Sequence, residues 1–365
     1  MDNLKKSRVE TLDWLRGLMA LSIMFYHLIY WIFNPLDASN PLGRLGIYGV
    51  SIFFILSGLS MAIVYNTYID SILKSIIFYI RRIFRIWPLL WVICFVLVIP
   101  ILLKTGTFDW KLLFLNLTTL FGFLKPTAYI PTGAWSIGNE MVYYALTPLI
   151  LFLYNTKKWF GNMFFVFTLI IGLFFSFYLL KSNVDLPAQW PTYVNPFNNL
   201  FLYVMGIAIF YNFKETNIST KLNLSLLAIT VILFCILPFS GNQISIITGI
   251  GRIVFSILSF IIVFCFYKLN INVPKTFGNI LETFGIATYG IYLIHPVVYL
   301  YTGSLLEKIN SKNNFLLLGT TVVLTILIST FSYNFFELPM IKIGKKFTNS
   351  FESFFQKQKV KSQKI

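Results

Sequence analysis

The chain holds only two histidines, and the first, His27, sits where ionisable groups are rare. It lies in LDWLRGLMALSIMFYHLIY, residues 12–30, a stretch apolar enough to sit in lipid that also carries Arg16. Arg16 and His27 are eleven positions apart, so on a helix they fall about 20° apart around the axis and about 16 Å apart along it. The arginine admits an ordinary reading, its head snorkelling to the interface. An imidazole near mid-membrane is expensive, and such groups usually line a pathway or a site. A neutral imidazole suits general-base work, so His27 is a candidate to take the proton of a hydroxyl.

Other residues add to this pair. In Arg81-Arg82-Ile83-Phe84-Arg85, Arg82 and Arg85 share one helix face. The guanidinium fork matches phosphate oxygens, so with Arg16 they could form a pocket for an anionic group, while Arg81 reads as a basic flank. Glu140, in GAWSIGNEMVYY, opens a span where a carboxylate is favourable near a helix N-terminus anyway. Trp135 and Ser136 beside it offer an aromatic platform and a hydroxyl suited to a sugar. His295 precedes Pro296, where a carbonyl is freed, and there a structural role is preferred to direct catalysis. Glu337 is read as pairing with a basic neighbour, and Ser57-Gly58 as close helix packing. Neither histidine has a second ligand at metal spacing on its own helix, so no metal site is expected.

The elements that must hold these residues are membrane helices. Hydrophobic residues make up 57% of the 365 and charged residues 12%, with 39 Phe and 20 Tyr, far from a soluble composition. The expected fold is an all-α integral membrane bundle of about ten spans, near 12–33, 47–65, 83–103, 136–154, 163–180, 197–212, 222–239, 246–267, 284–303 and 315–336. Residues 110–124 are amphipathic and too short to cross, an interfacial or re-entrant segment. The first span reads as a retained helix and not a cleaved signal. Cys94, Cys235 and Cys265 all fall in apolar spans and suit neither a disulfide framework nor a metal.

A net charge of +16 raises nucleic acid as a partner, but the basic residues gather in short loops beside spans. With the N-terminus in the cytoplasm, 20 of them fall inside and 8 outside, Arg44 and Arg252 among the latter. That bias predicts both termini inside. Residues 1–341 form the transmembrane domain, and 342–365, which alternates lysines with Phe347, Phe351, Phe354 and Phe355, is read as a basic amphipathic cytoplasmic tail on anionic lipid.

The order of these motifs resembles the acyltransferase-3 family of integral membrane acyltransferases. Asp13, Arg16 and His27 match its opening. GVSIFFILSG at 49–58 is similar to its second helix, Arg82 and Arg85 to its Arg-x-x-Arg, and WSIGNEMVYY to its Trp-Ser…Glu…Tyr segment. YLIH at 292–295 and Glu337-Leu-Pro339 follow in the same order. Ser51 departs from the more polar or acidic residue many members carry, and the fused extracytoplasmic domain of some members is not expected here.

The resemblance implies a multi-pass protein of the bacterial inner membrane. It would move an acyl group, usually acetyl, from cytoplasmic acetyl-CoA (acyl-CoA) as co-substrate to a hydroxyl of a surface polysaccharide or lipid-linked glycan, with polysaccharide-assembly proteins as further partners. It assigns catalysis to His27, with Glu140, and donor binding to Arg16, Arg82 and Arg85. Trp135, Ser136, Tyr143 and His295 fall on the substrate side. Trp110, Trp190 and Tyr193 could stack on a sugar or anchor at the interface equally well. In the expected reaction His27 deprotonates the acceptor, which attacks the thioester directly. An acyl-histidine intermediate is the second choice. The competing class is a transporter or flippase for a lipid-linked or polyanionic substrate.

Overall fold

The computed structural model describes residues 9–362, with side chains to Phe355, and among these residues every regular element is helical. The starts follow local capping chemistry. α1 (Glu10–Ile32) leads to α2 (Pro41–Tyr65), where the Asn40 side chain accepts the Leu42 N–H at 2.8 Å and Pro41 takes the first position. α3 (Ile72–Thr105) opens on Ser71 and stops at Gly106, whose φ of +73° is the left-handed geometry that ends a helix. α3 begins eleven residues before the expected span, because its first turns pack against the last helix instead of entering solvent.

The expected interfacial segment is two short helices, α4 (Trp110–Leu117) and α5 (Phe121–Leu124), broken at Thr119. α6 (Trp135–Thr156) and α7 (Lys158–Phe174) follow, the latter continued by a π-turn to Leu179. The helical segment Leu186–Tyr193, which ends in α8 (Trp190–Tyr193), meets α9 (Pro196–Phe213) at 64°. Then come α10 (Thr220–Ile236), α11 (Ile244–Ile247) and α12 (Gly249–Lys268). α13 (Lys275–Ile286) bends by 67° into α14 (Thr288–Lys308). α15 (Asn314–Ser332) runs through a π-turn, Tyr333–Glu337, into α16 (Leu338–Ser362).

Among the described residues seven helices are long and apolar enough to cross a membrane, or nine if each bent pair is one span. The remaining expected span falls on α10, a shorter apolar helix of 17 residues. The count is therefore seven to nine where ten was expected. The chain is an all-helical integral membrane protein.

α2 and α9 cross at the centre of the bundle. A Cβ on Gly58 would strike the Tyr203 carbonyl, and one on Gly206 the Ile55 carbonyl, so each glycine admits the other's backbone. Two charges assigned to outer loops lie inside the protein. Arg44, 2% exposed, donates to the carbonyls of Ala38 (2.6 Å), Phe234 (2.7 Å), Leu237 (2.6 Å) and Phe239 (3.1 Å), closing the end of α10. Arg252, 1% exposed, donates to Asn199 Oδ1 at 2.7 Å and lies over the Phe201 ring. Neither is a loop charge.

The 341/342 boundary falls inside α16, which runs along the first turns of α3. Lys74 pairs with Glu352, Arg81 donates to Thr348 Oγ1 (3.1 Å) and Asn349 Oδ1 (3.2 Å), and Gly344 sits under Phe84. Phe347, Phe354 and Phe355 remain exposed.

Candidate functional site

A cavity of about 460 Å³ opens between α1, α2, α3, α6, α14 and the π-turn after α15. That volume suits a small organic ligand. Its walls separate by chemistry.

The basic end carries Arg16, Arg82 and Arg85. Arg16 is set by its own helix and its neighbour: it pairs with Asp13 three residues back and donates to Ser60 of α2. Arg82 donates to the Tyr65 hydroxyl at 3.0 Å and lies over the rings of Tyr65, Phe78 and Tyr144 at 5.4–5.9 Å. Its Nε is buried and has no partner among the described residues. Arg85, one turn on, is exposed within the same space, and Glu337 lines the wall with it. The three arginines come from two helices, and the structure brings them to one place. Arg81 turns away to α16 and Tyr68.

The other end is polar but uncharged apart from Glu140. Glu140 Oε1 accepts the Ser57 hydroxyl at 2.5 Å and also the Tyr144 hydroxyl. Ser136, one turn before Glu140, bonds the Tyr292 hydroxyl at 2.8 Å, and Tyr292 donates to the Gly133 carbonyl at 2.9 Å. Ser57 thus does more than allow close packing.

Helix periodicity decides which residues of WSIGNEMVYY reach this space. Ser136, Glu140 and Tyr144 form one i, i+4 stripe and line the cavity. Trp135 and Tyr143 lie on the adjacent stripe and face away. Tyr143, fully buried, donates to the Pro196 carbonyl at 2.8 Å. Trp135 packs on Trp190 (5.7 Å) and Tyr193 (5.5 Å), while Trp190 donates to the Tyr129 hydroxyl at 2.9 Å. Those aromatics spend much of their surface on each other, and Trp110 lies apart from them, 61% exposed.

His27 and His295 lie just beyond the cavity and do not line it. The cavity ends at Tyr292, one turn before His295, with ring centroids 6.4 Å apart, and at Phe53, which meets Tyr292 edge-on at 6.1 Å. The two imidazoles, 268 positions apart in sequence, are in contact: His27 Nδ1 is 2.9 Å from His295 Nε2.

The tautomers follow from the second hydrogen bond. His295 Nδ1 lies 2.9 Å from the Ile291 carbonyl, which only accepts, so Nδ1 carries the proton. In neutral His295, Nε2 is then an acceptor, and His27 Nδ1–H donates to it. His27 Nε2 is left with its lone pair. The arrangement is a base oriented by a second group that is itself fixed by the backbone.

Among the described residues no group of three or more His, Cys, Asp or Glu side chains converges as a metal site. No curated protein and no solved structure matches the chain. A family model for an acyltransferase domain, acyltransferase-3, matches residues 9–334, from Val9 just before α1 to Asn334 in the π-turn after α15. With both histidines and all three cavity arginines inside that match, the chain belongs to the acyltransferase-3 family of membrane acyltransferases.

Proposed function

We propose that the protein moves an acetyl group from cytoplasmic acetyl-CoA to a hydroxyl of a cell-surface or lipid-linked carbohydrate. One observation carries this reading: three arginines gather at one end of a cavity whose other end stops a turn short of an imidazole with a free lone pair.

Coenzyme A is polyanionic with a long thin arm. Arg82 and Arg85 would hold its phosphates, with Arg16 braced against Asp13 and Ser60 beside them. The arm would lie along the cavity past Ser57 and Glu140, the thioester toward Tyr292 and Phe53. Tyr292 is held by two hydrogen bonds, whereas Phe53 is an apolar side chain and is the one that has to turn for the thioester to reach His27.

In the reaction, His27 Nε2 takes the proton of the acceptor hydroxyl as its oxygen attacks the thioester carbonyl. The carbon–sulfur bond breaks, and the leaving thiolate recovers that proton. The imidazolium formed in between keeps its Nδ1–H bond to His295, so the base does not reorient during the step. Glu140 fixes Ser57 and Tyr144 along the path of the arm.

The test is transfer of label from radiolabelled acetyl-CoA to a cell-surface glycan extract by purified protein in liposomes. Wild type transfers label, His27→Ala loses about 10²- to 10⁴-fold in rate, and Arg85→Ala mainly raises the KM for acetyl-CoA. A His27→Ala protein with full transfer activity, or a wild type that moves glycan across the bilayer without acylating it, overturns the reading.

A further inference from the structure

The histidine pair has a third ring against it. Trp31 stands four residues after His27 on the same face of α1, and its indole lies 5.0 Å from the His27 ring with only 9° between their planes. The same indole is 6.1 Å from His295 at 20° and 5.0 Å from Tyr299 at 30°. His27 and His295 are themselves nearly parallel, at 5.2 Å and 18°. Other aromatic neighbours behave differently: Tyr26, beside His27 in sequence, meets it at 49°. A face-on indole is therefore specific to Trp31, and it reaches both imidazoles at once.

We infer that Trp31 is a positioning residue for the histidine pair, holding both rings in register and presenting its π face to the imidazolium that forms on His27. The inference rests on His27 acting as the base. A neutral imidazole gains only dispersion and packing from such a stack. Once it takes a proton it is a cation over the best of the aromatic faces, at a half-buried contact where the attraction exceeds that of the neutral ring. The contact is thus stronger in the charged state made during the reaction than in the resting one, and this difference lowers a barrier without tightening substrate binding. Tyr299, on the helix that carries His295, packs against the indole and keeps it from turning out.

Four variants separate this role from simple packing. Trp31→Phe and Trp31→Tyr keep an aromatic face, whereas Trp31→Leu and Trp31→Met fill space without one. Each is assayed for acetyl transfer per mole of monodisperse protein, with His27→Ala alongside. The aromatic pair is expected to stay within about threefold of the wild-type kcat. The aliphatic pair is expected to lose about ten- to thirtyfold in kcat, with KM for donor and acceptor changed less than about twofold. Equal loss in all four, wild-type kcat in the aliphatic pair, or a loss carried by KM overturns the inference. If His27→Ala itself keeps full activity, it is the general-base reading that fails.

Discussion

The 2.9 Å contact between His27 Nδ1 and His295 Nε2 has a fixed direction, because the Ile291 carbonyl leaves His295 Nδ1 no choice but to donate. The tautomer of the candidate base is therefore set from α14, although α1 carries the ring.

His295 should matter to kcat. His295→Ala leaves the His27 Nδ1–H without its acceptor and lets the ring change tautomer, so kcat should fall by about one to two orders of magnitude, less than for His27→Ala. His295→Gln offers a carbonyl oxygen and should recover part of the loss. Steady-state kinetics on the three variants check this, and a His295→Ala enzyme with unchanged kcat would mean that the relay has no part in the chemistry.

Phe53 closes the cavity before the histidines. Phe53→Ala should widen the cavity toward the histidines and let water reach the thioester when no acceptor is present. Acceptor-free hydrolysis of acetyl-CoA should rise several-fold, since exclusion of water is what suppresses such side reactions. Thiol release followed without glycan is the measurement, and no increase would place the donor's reacting end elsewhere.

Glu140 is tied to two hydroxyls, and its shape matters as well as its charge. Glu140→Gln keeps an oxygen to accept from Ser57 and Tyr144 and should fold normally. Glu140→Ala removes that acceptor; the two hydroxyls, 3.2 Å apart, can then satisfy one donor between them and leave the other unpaired in a largely buried wall, at a cost of about 1–3 kcal/mol for a buried unsatisfied group. Comparing thermal midpoints in detergent separates the two. If Glu140→Gln is inactive yet as stable as wild type, the negative charge has a catalytic share beyond holding the wall.

Much of this site was legible in the sequence, and what was missed has physical causes. The stripe of Arg16 and His27, the pairing of Arg82 with Arg85 and the placing of Ser136 with Glu140 follow from helix periodicity, which is local. Periodicity also contained the choice of Tyr144 over Tyr143, because residues 136, 140 and 144 are an i, i+4 series and 143 is not. The contact between His27 and His295 is different. It depends on how α1 and α14 pack, and no local spacing carries that. By sequence alone Arg44 and Arg252 read as loop charges, because they sit near span ends. A guanidinium can be buried where helix-end carbonyls lack donors, and the accepting residues at 234–239 are distant in sequence. The early start of α3 was hidden for a related reason: its basic turns are stabilised by α16, hundreds of residues later.

That last pairing yields the remaining prediction. α16 lies along the part of α3 that leads into Arg82 and Arg85, and Glu337, just before it, and Ile341, in its first turn, line the cavity with Arg85. Gly344 is a tight contact, where a Cβ would meet the Phe84 side chain, one residue from Arg85. Gly344→Leu should therefore push α16 away from α3 and loosen the arginines without touching the histidines. On the proposed chemistry the KM for acetyl-CoA rises several-fold, about the cost of an overpacked contact of 1–3 kcal/mol, while kcat at saturating donor stays near wild type. Phe84→Ala in the same chain removes the clash and should restore the donor KM. Loss of kcat with an unchanged donor KM would show that α16 acts on the acylation step and not on the donor, and the arginine end of the cavity would have to be reassigned.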